Sequence, residues 1–208
     1  MCNLYSMTSS QAAIIDLLKV WQDKTGNMPA LPGIYPNNLA PVVTNTPDGR
    51  VLSMMRWGMP TPPQYLRGKN YDKGVTNVRN TKSPHWRRWL VPEHRCVVPF
   101  TAFSEFQRGH GNRWFATEKT QPLAVFAGIW TPWTSVRKVK DGETSDELFA
   151  FLTTDPNAVV APFHPKAMPV ILTTPEEVDA WLSAPVPEAM ALQRPLADDQ
   201  LVLIEGPE

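Results

Sequence analysis

Cysteine is nearly missing from this chain. Two in 208 residues, Cys2 and Cys96, cannot make a disulfide framework, which fits a reducing, cytoplasmic setting. Net charge is missing as well. Twenty Lys and Arg balance twenty Asp and Glu, so no global basic signature marks a polyanionic partner. No apolar run approaches the ~20 residues of a membrane span, and no charged segment followed by an apolar one opens the chain. Neither an anchor nor a signal peptide is expected. The four His and two Cys are scattered without ligand spacing, so no metal and no cofactor is expected. Internal repeats and low-complexity segments are absent too.

Proline, in contrast, is plentiful. Its 22 copies point to many turns and few long helices. The length suits one domain, residues 1–208, with a sizeable core. "TSSQAAIIDLLKVWQDKTG" predicts an early helix, because Ile14, Leu17, Leu18 and Trp21 recur at helical spacing and Gly26 can end it. "LPGIYPNNLAPVV" predicts a loop. "RVLSMMRWG", "RCVVPFTAFSEF", "RWFATE", "PLAVFAGIW", "ELFAFLTT" and "MPVILTT" predict strands, and "LVLIEG" a closing one. "VRKVKDGETSDE" predicts a polar surface loop. "TPEEVDAWLSA" has a capping Thr and an early Pro, so it predicts a short helix. The expected class is α+β: a mixed or antiparallel, barrel-like β core flanked by a few helices.

Zero net charge hides an asymmetry. Nine Lys and Arg stand against Asp72 and Glu93 between residues 56 and 95. Eight acidic residues stand against Arg194 between residues 176 and 208. The two regions could be solvated faces or pair with each other. A sharper reading is a polyanion-binding face, because Trp57, Tyr65, Tyr71, Trp86 and Trp89 interleave with the cations. Single-stranded nucleic acid needs both: aromatics to stack bases and charge to hold phosphates.

The chemistry centres on "MCNLYS". With Met1 removed, Cys2 carries a thiol and the α-amine on one residue. Such a 1,2-aminothiol attacks an aldehyde twice, first through the amine to an imine, then through sulfur to a thiazolidine. An α-amine of pKa ~7.7–8.0 is partly neutral at pH 7, unlike lysine. The same residue could be an N-terminal nucleophile for amide hydrolysis, or an incidental thiol. Cys96, inside "RCVVPF", fits a core thiol. Asn77 and Arg79 in "TNVRNT" lie two apart, so an extended segment points both the same way. A turn Asn beside a surface Arg is the plainer reading. Glu105 stands among Phe100, Phe103 and Phe106, and apolar neighbours raise a carboxyl pKa, unless strand alternation turns it into water. His164, between two prolines, suits a general acid or base, or a hydrogen-bonded loop residue.

"MC" at the start, then "RWGMP", "TNVRNT", "VVPFTAFSEF", and "HPKAMPVIL" preceded by "FLTT", occur in this order. Over nearly the whole chain they resemble the SOS-response-associated peptidase (SRAP) family. The resemblance implies the SRAP fold and removal of the initiator Met by the protein itself. It also implies a thiazolidine crosslink between Cys2 and the ring-opened sugar of an abasic site in single-stranded DNA, shielding the lesion. It places catalytic roles on Cys2, Asn77, Glu105 and His164, and DNA contacts on Trp57, Gly58, Arg79 and Thr153. Lys82, Arg87, Arg88 and Lys166 complete the expected DNA-contacting set. The expected protein is a cytoplasmic monomer, nucleoid-associated when bound to DNA, with no membrane partner.

Departures bear on affinity more than on chemistry. Asn3 and Leu4 replace a common Gly-Arg pair, and Lys166 stands for an Arg, so a bidentate phosphate contact becomes a point charge. Two other classes stay open: an N-terminal-nucleophile amidohydrolase using Cys2, and a non-catalytic DNA-binding module.

Overall fold

Val, Phe and Thr pack well on a pleated, half-buried surface, and the runs rich in them form strands. The computed structural model describes residues 2–206. Its elements begin with β1 (Leu4–Met7), α1 (Gln11–Leu18), β2 (Val20–Asp23), β3 (Leu31–Ile34), β4 (Leu39–Thr46) and β5 (Gly49–Trp57). A long connection carries β6 (Asn77–Val78) and the one-turn α2 (Pro84–Arg87). Then come β7 (Arg95–Phe100), β8 (Ala102–Gln107), β9 (Gly111–Ala116), β10 (Ala124–Lys138) and β11 (Gly142–Thr154). The chain ends with β12 (Met168–Pro169), β13 (Ile171–Leu172), α3 (Pro175–Ser183), α4 (Val186–Met190) and β14 (Val202–Ile204).

Five strands close on themselves. β4 pairs with β5, β5 with β11, β11 with β10, β10 with β7, and β7 returns to β4. Only the β5–β11 pairing is parallel, so the barrel is mixed, and closure removes exposed sheet edges. A second, antiparallel sheet runs β14-β9-β8-β1-β3. Aromatics join the two layers. Tyr5 of β1 meets Trp57, Phe126 and Phe151 edge-on, and Phe100 stacks on Phe126 at 3.8 Å between ring centres. The α+β class and the barrel-like core agree with the sequence reading. No helix among the described residues is long and apolar enough to cross a membrane.

Three local readings are corrected. The early helix ends at Leu18, because Lys19 turns left-handed (φ 50°) and the chain enters β2, leaving Trp21 on a strand and well exposed. The proline-rich stretch holds two strands, β3 and β4, rather than a loop. Pro41 fits within β4 opposite Met54. The expected polar loop at 136–147 is instead the far end of a long hairpin, paired from Gly128↔Phe151 to Lys138↔Gly142. The closing helix is as predicted. Thr174 caps α3 by accepting from the Glu177 amide, and Pro175 opens its first turn. At the other end of α3, the buried Arg95 donates to the Ala184 carbonyl, placing a cation where the helix dipole favours one.

Candidate active site and nucleic-acid groove

β1 and β8 pair with Leu4 opposite Ser104, which sets Cys2 beside the strand that carries Glu105. β6 runs parallel to β11 with Asn77 opposite Phe151, and so reaches the same place from the barrel side. Asn77 Nδ2 donates to the Cys2 carbonyl at 2.8 Å and to Thr76 Oγ1 at 2.8 Å. The Thr76 hydroxyl donates onward to Asn3 Oδ1. Asn77 Oδ1 is buried and has no hydrogen-bond partner among the described residues. It is an acceptor on the same amide whose Nδ2 grips Cys2. The Cys2 side chain is fully buried, and its thiol donates to the Leu4 carbonyl at 3.4 Å. Burial, then the nearby Glu105 charge, pushes its pKa far above the ordinary thiol value, so the sulfur is held as a thiol.

Glu105 is 1% exposed. Alternation along β8 turns Phe106, not Glu105, into water, so only Phe103 and Phe100 of the three expected phenylalanines are buried. Burial raises the Glu105 pKa, against the pull of nearby positive charge that includes His164. His164 Nδ1 lies 3.9 Å from Glu105 Oε2 and 2.9 Å from the Ala167 carbonyl. A carbonyl can only accept, so Nδ1 carries the proton in the neutral ring and the basic lone pair sits on Nε2. The structure thus gathers Cys2, Asn77, Glu105 and His164. They provide an amide clamp, a buried carboxyl whose pKa is raised and an imidazole of defined tautomer. Among the described residues, no cluster of three His, Cys, Asp or Glu could hold a metal.

The expected DNA-contacting residues divide. Arg79, Lys82, Arg87, Arg88 and Lys166 are exposed. Arg79 pairs with Asp155 at 2.5 Å, both on the surface, and Arg88 stacks over Trp89 at 4.0 Å. Trp57, Gly58 and Thr153 are buried and offer DNA no surface here. The Trp57 ring lies in the aromatic cluster, with Nε1 donating to the Thr76 carbonyl. Gly58 has φ +136° and packs so closely that a Cβ there would stand 2.5 Å from Arg137 Nη2. Thr153 Oγ1 has no partner among the described residues. Trp86 and Trp89 are also largely buried, so all three interleaved tryptophans are packed. Among the described residues, the acidic carboxyl-terminal region forms its ion pairs outside the basic stretch. Asp179 meets Arg50, and Glu177 meets Arg194.

A cavity of about 620 Å³ reaches Asn77 and is lined by Tyr65, Lys69, Tyr71, Lys73 and Trp86 among others. Tyr65 is 65% exposed. This groove has the mixture of rings and cations that the sequence suggested, built from different members of the same stretch. Lys69 and Lys73 were part of the charge count but not of the expected contact set. One positioning residue had no sequence signal at all. Gln193 Nε2 donates to the Arg79 carbonyl at 2.9 Å and the Thr153 carbonyl at 3.0 Å, while its Oε1 accepts from Thr81 Oγ1 at 2.9 Å. One side chain thereby ties the strand end after Asn77 to the end of β11.

A family model described as SOS response associated peptidase (SRAP) matches residues 1–205. No curated protein matches the chain. Solved structures are similar in fold. A protein from Bordetella bronchiseptica shares 21% identity with a TM-score of 0.72, over 97% of this chain and 98% of that one. One from Bacteroides thetaiotaomicron shares 21% with a TM-score of 0.71, over 98% and 92%. A phage-related protein of Bordetella bronchiseptica shares 18% with a TM-score of 0.69, over 97% and 92%.

Proposed function

The chain belongs to the SOS response associated peptidase family, with its DNA-damage-associated role, and from that premise we propose that it captures abasic sites in single-stranded DNA as a covalent adduct of Cys2. The observation that carries the reading is the clamp of Asn77 on the Cys2 carbonyl at the end of an aromatic and cationic groove. Met1, whose removal the chemistry requires, lies outside the described residues.

The steps balance without an oxidant or cofactor. The neutral amine of Cys2 adds to the aldehyde carbon of the ring-opened sugar, and loss of water gives an imine. The thiol then adds to the imine carbon while its proton passes to nitrogen, closing the thiazolidine ring. Asn77 Nδ2 fixes the Cys2 carbonyl, and Oδ1 is the acceptor for an amine proton. Glu105, its pKa raised by burial, takes a proton from the amine and returns one to the departing hydroxyl. It also serves removal of Met1 by activating the Cys2 thiol. His164, basic at Nε2, assists opening of the sugar. In the groove, Tyr65 and Tyr71 stack bases while Lys69 and Lys73 meet phosphates, joined by the exposed Arg79, Lys82 and Lys166.

The test is a denaturing gel with an abasic single-stranded oligonucleotide, beside intact-mass measurement of the amino terminus. The processed protein is expected to give a heat-stable covalent band that Cys2→Ala abolishes. A heat-stable band from the alanine variant would remove Cys2 from the reaction. No band from processed protein would leave an amidohydrolase or a plain DNA-binding module.

A further inference from the structure

A second cavity, of about 410 Å³, is lined by Pro36, Asn37, Tyr71, Lys73, Arg137, Lys138 and Val139. Tyr71 and Lys73 line the groove as well, so one rib of chain separates the two spaces. The rib is strapped to β10: the Asp72 amide donates to the Val136 carbonyl at 2.8 Å, and Arg137 Nη2 donates to the Lys73 carbonyl at 3.2 Å.

This second cavity has cations and no acid in its lining. Arg137 is buried, and Nε donates only to the neutral Asn37 side chain. Its Nη1 has no partner among the described residues. The two acids near Arg137 hydrogen-bond to other groups. Asp72 accepts from Thr61 and the Gly74 amide, and Asp146 accepts from Arg56 and Thr144. Asp72 and Asp146 offset part of the Arg137 charge without a hydrogen bond to it among the described residues, and the lining itself adds Lys73 and Lys138 and no acid, which keeps the mouth of the cavity positive. The rest of the lining is suited to a flat ring: Pro36, the half-buried Tyr71 and the exposed Val139.

We propose that this cavity is a nucleotide subsite for the strand held in the groove: a strand leaving the groove crosses the Tyr71–Lys73 rib, rests a base against Tyr71, Pro36 and Val139, and sets its phosphate among Lys73, Arg137 and Lys138. The proposal rests on the reading of the groove as a single-strand site. It makes the hairpin tip, Lys138 and Val139, part of the DNA footprint, although the tip lies at the far end of β10 from Ala124.

The experiment measures binding of thymidine oligonucleotides with one central abasic site, lengthened one nucleotide at a time on either side. Lengthening on one side is expected to add at least about fivefold in affinity at one step, as one stacked base does. Lys138→Glu and Val139→Asp, both exposed changes, should each remove that step and leave crosslinking of the shortest oligonucleotide at its original rate. Lys138→Glu should also lower the log–log salt slope by about 0.7 for the lost phosphate contact. A step that survives both variants, or no step on either side, overturns the subsite. Thymidine monophosphate competing away the whole step at concentrations comparable to the oligonucleotide would assign the cavity to free nucleotide and overturn the strand. A length step lost in the variants without any covalent band would keep the subsite and reject the crosslinking chemistry.

Discussion

Gly58→Ala is the sharpest test of the packing beside the site. The glycine has φ +136°, a value that L-residues rarely adopt, and holding alanine there costs about 1–3 kcal/mol. The new Cβ would also lie 2.5 Å from Arg137 Nη2 and 3.4 Å from the Lys73 carbonyl. Overpacking of this kind adds about 1–3 kcal/mol, because Arg137 is itself fixed by Asn37 and Lys73. The sum, about 2–6 kcal/mol, lowers Tm by roughly 4–24 °C in a chain of this size. Gly26→Ala is the control. Gly26 also has positive φ, +69°, but a Cβ there meets nothing within 4 Å. It should cost about 1–2 kcal/mol, from backbone strain alone. Urea unfolding of both variants separates strain from clash, and a cycle with Arg137→Ala should recover roughly 1–3 kcal/mol at position 58 only. Equal costs for the two alanines, or no coupling to Arg137, would refute the account of this glycine as the seat of a buried guanidinium.

Two further outcomes follow from the same geometry. Burial raises the folded pKa of Glu105 above its ordinary 4.5, so its contribution to stability is complete below that value and is lost as pH rises through the folded pKa. Glu105→Gln has no such loss, and its melting temperature relative to the parent should climb over that window; a difference flat with pH would mean the carboxyl titrates normally. Gln193→Met removes three hydrogen bonds and leaves two carbonyls without their donor, which costs about 1–3 kcal/mol by chemical denaturation. It should also slow crosslinking by shifting the strand end after Asn77, and an unchanged rate would confine Gln193 to bracing.

The barrel strands were legible because each is a β-branched or aromatic run bounded by turn residues, and α3 because its cap, its first-turn proline and its acids agree. β3 and β4 were hidden by Pro32, Pro36 and Pro41, which read as loop until the partner strand is known to tolerate them. The hairpin tip was hidden by charge, since a two-stranded arm that projects from the barrel buries little and needs no apolar run. At the site, Cys2, Asn77, Glu105 and His164 stood out because each is a polar group in an apolar or constrained setting. Trp57 misled because it follows Arg56 in a basic stretch. Its two-residue spacing from Met55, which is buried on the same face of β5, was the signal for the core. Gln193 left no trace, because its partners, two backbone carbonyls and the Thr81 hydroxyl, lie 40, 114 and 112 residues away.

The buried thiol has a consequence for how this protein meets oxidants and electrophiles. Peroxide, iodoacetamide and maleimides all react with thiolate that they can reach. Cys2 and Cys96 are both fully buried, with pKa values raised by that burial. In this conformation both thiols of the folded chain are therefore shielded, and thiol titration of the native protein counts close to zero where the sequence holds two. Sulfur chemistry at Cys2 then waits on an event that reaches it from within the site. The reagent is selected by where it can bind, rather than by how reactive it is.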